Sequence, residues 1–149
     1  MTQIPRDYAG IEFCANVERV DRDWLWRELS ENAYWAKYRS RGMFDQQLDS
    51  AWRVVGAYDT VNGQMVGFAR AISDSVSLAY LADVYVDRQA RGRGIGTGIL
   101  RLMIDGGPGR DFRWMLHTSD AHSLYAEFGF TAPDFTFMQR DLRLQHARA

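Results

Sequence analysis

A chain of 149 residues, 46% hydrophobic and 13% aromatic, is long enough to bury one core without staples and too apolar to be disordered. A net charge of −1 gives no electrostatic footing for a nucleic-acid or anionic-membrane partner. Cys14 is the only cysteine; it excludes an internal disulfide and a cysteine-rich metal cluster, and it reads as a buried structural thiol. No metal site is expected. No run approaches the roughly 18–20 apolar residues that span a bilayer, and the polar residues 1–10 lack the apolar centre of a signal peptide. The expectation is a cytoplasmic protein. With no repeat, low-complexity tract or linker, residues 1–149 read as a single domain.

Residues 11–15 are short and apolar and predict a first strand. Asp21 can cap a helix carrying Trp24, Leu25 and Leu29 at helical spacing. Residues 34–42 mix aromatics with cations and lose periodicity, and a short helix is expected over 43–51. Residues 53–59 and 64–72 flank Thr60-Val61-Asn62-Gly63, and Asn-Gly is a strong hairpin signal. A turn at 73–75 leads into 76–86, almost continuously apolar, as in a strand covered on both faces. These three strands read as an antiparallel meander.

A helix is expected over 94–105, with Ile95, Ile99, Leu102 and Met103 on one face, stopped by Gly106-Gly107-Pro108-Gly109. Residues 113–116 predict another strand. Ser119 or Asp120 can cap a fourth helix bearing Ala121, Leu124, Tyr125 and Phe128 on one face, with Gly129 as its ending glycine. Residues 135–142 alternate aromatic and polar and read as a final strand, followed from Arg143 by a frayed tail. The predicted fold is mixed α/β, with a mostly antiparallel sheet, one parallel pair around residues 76–116, and about four helices.

Between the strand at 76–86 and the helix at 94–105 lies a glycine-and-arginine turn. A strand feeding such a turn at a helix start is a pattern for holding phosphate. The first helical N–H groups have no intrahelical acceptor, and glycine lets an anion approach the backbone. Arg91 and Arg93 add full charges beside those amides. The dinucleotide fingerprint Gly-x-Gly-x-x-Gly fails here, because its third position falls on Thr97 from Gly92 and on Ile99 from Gly94. The Walker motif fails because it needs a lysine, and Lys37 is the chain's single one.

The segment Arg91-Gly92-Arg93-Gly94-Ile95-Gly96 does resemble the acetyl-coenzyme A pyrophosphate loop of the GCN5-related N-acetyltransferase (GNAT) superfamily. The segment Ala121-His122-Ser123-Leu124-Tyr125-Ala126-Glu127-Phe128-Gly129-Phe130 is similar to the closing signature of the same enzymes, at the usual interval. The resemblance covers about residues 11–142. It implies that amides from Arg91 through Thr97, with Gly92, Arg93, Gly94, Ile95 and Gly96 between them, hold the pyrophosphate. It also implies that the backbone of Val84, Tyr85 and Val86 pairs with the pantetheine amides, with the Val84 N–H placed to face the thioester oxygen. Tyr125 becomes the candidate general acid beside the cofactor sulfur. Many relatives carry Asn where Thr118 stands; a threonine can donate one hydrogen bond there, not two.

The general base is less determined. Asp83 lies in an apolar strand, where a carboxylate is expected to have a raised pKa suited to base work; the alternative is pairing with Arg70 of a neighbouring strand. His117 and His122 are the other candidates, and many relatives use a water chain. The aromatic–cationic segment falls where the superfamily usually builds its acceptor wall. Tyr34, Trp35 and Tyr38 could enclose a small amine, and Arg39 or Arg41 could pair an acceptor carboxylate, or all could be core aromatics with solvated arginines. The implied activity is acetyl transfer from acetyl-CoA to a small-molecule amine. Alternatives are a protein or peptide N-acetyltransferase and a non-catalytic acyl-CoA sensor. The last strand or the aromatic segment could serve a homodimer.

Overall fold

The computed structural model describes residues 10–141. The chain divides into two compact units, one ending at Thr118 and one beginning at Ser119. The first holds a five-stranded sheet in the order β1 (Ile11–Cys14), β2 (Arg53–Asp59), β3 (Met65–Ser73), β4 (Leu78–Val86) and β5 (Arg113–Met115). β1 to β4 are antiparallel neighbours, and β4 with β5 is the one parallel pair, as expected. The same unit carries α1 (Arg22–Asn32), α2 (Arg41–Asp49) and α3 (Ile95–Leu100); α4 (His122–Ala126) belongs to the second. Among the described residues no helix is long and apolar enough to cross a membrane.

α1 begins where the Asp21 carboxylate accepts the Trp24 N–H at 3.0 Å, and it puts Leu25 and Leu29 fully inside. α2 starts earlier than its apolar pattern suggests, because the Ser40 hydroxyl accepts the Met43 N–H and draws Arg41 and Gly42 into the first turn. Leu25, Leu29, Phe44 and Leu48 from these helices form one core with Tyr58, Phe68 and Tyr85 of the sheet. The Asn62-Gly63 turn forms as read, with Gly63 at φ +73°. At the next turn the Ser77 hydroxyl and the N–H groups of Ser77, Val76 and Leu78 all donate to Asp74, holding its carboxyl well below the usual range.

β4 is not covered on both faces as its apolar run suggests: buried and half-buried positions alternate along it. β2 and β3 are the strands buried on both sides. β5 meets only the first three residues of β4, from Leu78↔Arg113 to Tyr80↔Met115.

α3 packs on the sheet face opposite α1 and α2, because Gly67 alternates with Phe68 and a Cβ there would lie 2.8 Å from Ile99 Cδ1. The approach to β1 is closer still: a Cβ on Gly98 would sit 2.3 Å from Phe13 Cζ. Gly98→Ala is therefore expected to destabilise by about 1–3 kcal/mol through overpacking, seen as a lower urea midpoint at unchanged slope. The helix expected over 94–105 changes pitch after Leu100. Arg101–Asp105 form a π-helical turn closed by the Gly106 N–H on the Arg101 carbonyl at 2.7 Å. Within this wider turn the Leu102 carbonyl accepts Arg53 Nη2 at 2.9 Å.

In the second unit Ala121 occupies the N-cap position of α4 without a capping side-chain bond, so neither Ser119 nor Asp120 is its cap. Its end is specified by Gly129 at φ +85°, with the Phe130 N–H on the Tyr125 carbonyl at 3.2 Å and the Gly129 N–H on that of Ala126 at 3.0 Å. This is a Schellman ending. The strand expected over 135–142 is absent through residue 141; Leu142 and the tail lie outside the described residues. Asp134 accepts both the N–H and the hydroxyl of Thr136, and this local turn takes bonds a ladder would need. Phe135 and Met138 consequently face outward.

Candidate active site

The site is built on an irregularity in β4. Phe68 pairs with Tyr85 and Arg70 with Ala82, so two β4 residues, Asp83 and Val84, stand opposite one β3 residue. Asp83 adopts φ +54°, a left-handed conformation uncommon outside glycine. Such a bulge bends its strand and re-aims the groups beside it. Since pairing with β5 has already stopped at Tyr80, the backbone from 81 to 86 has no strand on that side among the described residues. Val84, Tyr85 and Val86, expected to pair with an extended ligand, all lie on this open stretch.

Beyond β4 the chain reaches the glycine turn, with Gly92 at φ +82° and Gly94 at φ +75°. A Cβ on Gly92 would meet nothing within 4 Å. The first α-helical bond of α3 runs from Gly98 to Gly94, so the N–H groups of Ile95, Gly96 and Thr97 precede the intrahelical ladder. Two left-handed glycines followed by these amides are donors of the kind that could hold a diphosphate. The buried Ile95 side chain anchors the helix start. Arg91 is exposed; its Nε donates to the Val86 carbonyl at 3.0 Å and its guanidinium lies 5.7 Å from the Tyr85 ring centre. Arg93 is exposed on the same turn. The Tyr85 phenol points instead onto α1, donating to Glu28 Oε2 at 2.8 Å; burial and that carboxylate push it up to about 12.

Asp83 is the centre of a charge cluster. Its Oδ1 accepts Trp35 Nε1 at 2.9 Å and Arg39 Nη2 at 3.0 Å, and its Oδ2 accepts Arg39 Nη1 at 2.8 Å and Arg70 Nε at 2.6 Å. Gln47 of α2 steadies Arg39 Nη1 at 2.7 Å. Burial alone pushes the Asp83 carboxyl up, but the guanidinium groups of Arg39 and Arg70 outweigh it and hold it below the usual carboxylate range. The raised pKa expected from the apolar strand is thus corrected: pairing with Arg70, the alternative reading, is present, and Arg39 adds to it.

The aromatic–cationic segment is only partly brought together. Trp35 and Arg39 converge on Asp83, and Tyr34 stands edge-on to Trp35 with ring centres 5.0 Å apart. Tyr38 is 90% exposed and is not enclosed with them. Arg41 ties α2 to α1 through Asp23 at 2.9 Å and pairs along its own helix with Asp45 at 3.2 Å. Near the end of β5, His117 Nδ1 lies 2.5 Å from the Tyr80 hydroxyl, and Thr118 follows it. His122 is exposed in the first turn of α4. On the same helix Tyr125 is buried, and Phe130 packs edge-on against it at 5.8 Å. That contact, between the residue after the ending glycine and the helix's last turn, gives the Tyr125, Gly129 and Phe130 spacing a local structural role. Gln47 carries no signal in the sequence, whereas Arg70 is visible as a charge inside an apolar strand.

A strand that opens beside a glycine turn is the arrangement expected of an acyl-CoA-dependent transferase. Residues 20–130 match the family model for acetyltransferases of the GNAT family. The chain belongs to that family and is an acyltransferase that uses acetyl-CoA. A Xanthomonas campestris pv. campestris protein described as a GNAT-family acetyltransferase is 34% identical, with 88% of this chain and 92% of that one covered and a TM-score of 0.81. A Deinococcus radiodurans R1 acetyltransferase is 25% identical over 94% of both chains, with a TM-score of 0.69. A Clostridium acetobutylicum acetyltransferase solved with acetyl-CoA shares the fold at 18% identity and a TM-score of 0.66, covering 91% of this chain and 99% of that one. A search of curated proteins gives no match.

Proposed function

We propose that the protein acetylates the amine of a small molecule by direct attack on the thioester. The observation that carries this reading is the open backbone of residues 81–86, which starts beside the Asp83 bulge and runs into the glycine turn. Acetyl-CoA supplies the acyl group in activated form. The amides from Arg91 through Thr97, above all those of Ile95, Gly96 and Thr97, are the groups proposed to hold its diphosphate. Val84, Tyr85 and Val86 would pair their backbone with its pantetheine arm, and Thr118 offers one hydroxyl. The Val84 N–H is the donor assigned to the negative charge that develops during transfer. Tyr125 Oη is the proton source for the departing sulfur.

No side chain is assigned as a dedicated base. Asp83 already accepts four hydrogen bonds and is held as an anion, which makes it a poor proton acceptor and a good positioning residue. The amine proton leaves to solvent. The test is calorimetric titration with coenzyme A, followed by coenzyme A release from acetyl-CoA across a panel of small amines and peptide N-termini. At a hundredfold excess over Kd, coenzyme A is expected to stabilise the fold by about 2.7 kcal/mol. Release should depend on a small amine. No heat and no protection would remove the basis of the reading, and release with peptides alone would move the acceptor to protein termini.

A further inference from the structure

The cluster around Asp83 contains two guanidinium groups and one carboxylate, and it is nearly sealed. The side chains of Arg39, Arg70 and Asp83 keep 11%, 9% and 3% of their surface. Among the described residues Asp83 is the only carboxylate within ion-pair distance of either arginine, so one positive charge is uncompensated. Asp83 cannot supply more, since each of its oxygens already takes two donors. Arg39 uses both Nη nitrogens on Asp83 and Gln47, and its Nε is shut away from solvent. Arg70 is different. It uses only Nε, and its Nη1 and Nη2 have no protein partner among the described residues, yet neither is closed to solvent. A rigid fork of two donors in a cluster that carries a net positive charge matches a carboxylate in both geometry and sign. It is also well placed, because Arg70 rests on Asp83, and Asp83 immediately precedes Val84, the backbone donor assigned to the transfer.

We propose that the acceptor carries a carboxylate as well as its amine, and that Arg70 Nη1 and Nη2 bind that carboxylate. The acceptor class is then amino acids and amino-acid-like molecules; this rests on the acetyl-transfer reading and narrows it. Asp83 holds the fork in place, and Trp35 and Arg39 hold Asp83. A carboxylate entering this site neutralises the residual charge, whereas an uncharged analogue leaves it unpaired.

The experiment uses the coenzyme A-saturated protein, wild type and Arg70→Gln, against α-, β- and γ-amino acids, each paired with its own carboxamide. Thermal midpoints report binding, and coenzyme A release with acetyl-CoA reports turnover. In wild type at least one amino acid should raise the midpoint and be acetylated with kcat/KM about tenfold to a hundredfold above its amide, the size expected for a charge-assisted pair. Arg70→Gln should bring the two forms within about twofold by lowering only the acid form, and Arg70→Lys should restore part of the preference. Asp83 keeps its bonds from Trp35 and Arg39 in these variants, so loss of folding is not expected, and circular dichroism checks it. Absence of any acid-over-amide preference across the panel, or a preference that survives in Arg70→Gln, overturns the carboxylate subsite. Failure of the acetyl-transfer reading is seen separately, as absence of coenzyme A binding.

Discussion

Asp83→Ala is expected to cost about 3–5 kcal/mol of stability, the range for removing one partner of a buried ion pair. The variant would leave the Arg39 and Arg70 guanidinium groups facing each other, nearly sealed and without their shared anion. It would also strip the Trp35 indole of its acceptor. For a domain of this size the midpoint should fall on the order of 10 °C, measured by calorimetry or by circular dichroism. A loss below about 1 kcal/mol would show that water replaces the carboxylate at little cost, and that the cluster does not hold the bulge. The wild-type protein should show the same linkage in acid. The Asp83 carboxyl is lowered from its ordinary value of 3.8, so its contribution is fully present above that value and is lost as pH falls through the lower folded-state pKa. Asp83→Ala should flatten that part of the stability profile.

The second large effect concerns Tyr125. Tyr125→Phe is expected to lower kcat about a hundredfold, the low end of what a positioned proton donor contributes. The aromatic ring and its contact with Phe130 persist in the variant, so the ending of α4 is kept. Stability should therefore change by less than about 1 kcal/mol, and coenzyme A affinity by no more than a few-fold. Comparing kcat with the coenzyme A dissociation constant separates a lost proton donor from a damaged fold. If kcat stays within threefold of wild type, Tyr125 is a helix-ending core residue and the thiolate takes its proton from water.

Both predictions depend on residues visible in the sequence, but to different degrees. Tyr125 sits in a motif whose physical meaning is local: glycine four residues on takes a left-handed turn, and the next residue packs back on the tyrosine. Asp83 is equally visible as a charge in an apolar strand; pairing with Arg70 is one of its two readings there, and the raised pKa is the one the structure reverses. An apolar neighbourhood argues for a raised pKa, and it is the partners, not the neighbourhood, that reverse the sign. One partner, Arg70, lies across a hairpin and was within reach of strand pairing. The others, Trp35 and Arg39, are 48 and 44 residues away and come from a segment with no periodicity to orient it.

Features governed by interactions over a few residues were thus determined by the sequence alone. The Asp21 cap, the Asn62-Gly63 hairpin, the glycine turn before α3 and the Gly129 ending all depend on side-chain bonds or left-handed glycines that act over a single turn of chain. The meander of β2, β3 and β4 and the single parallel pair followed from these punctuation marks, whereas the place of β1 beside β2 did not. The tertiary structure decided what distant segments share: the bulge at Asp83, the early end of β4–β5 pairing, and the charge state of the buried carboxylate. It also decided against a strand over residues 135–141, where an aspartate turn outcompeted an alternating pattern. Alternation can offer a face to a sheet, but only pairing from elsewhere in the chain can turn that offer into a strand.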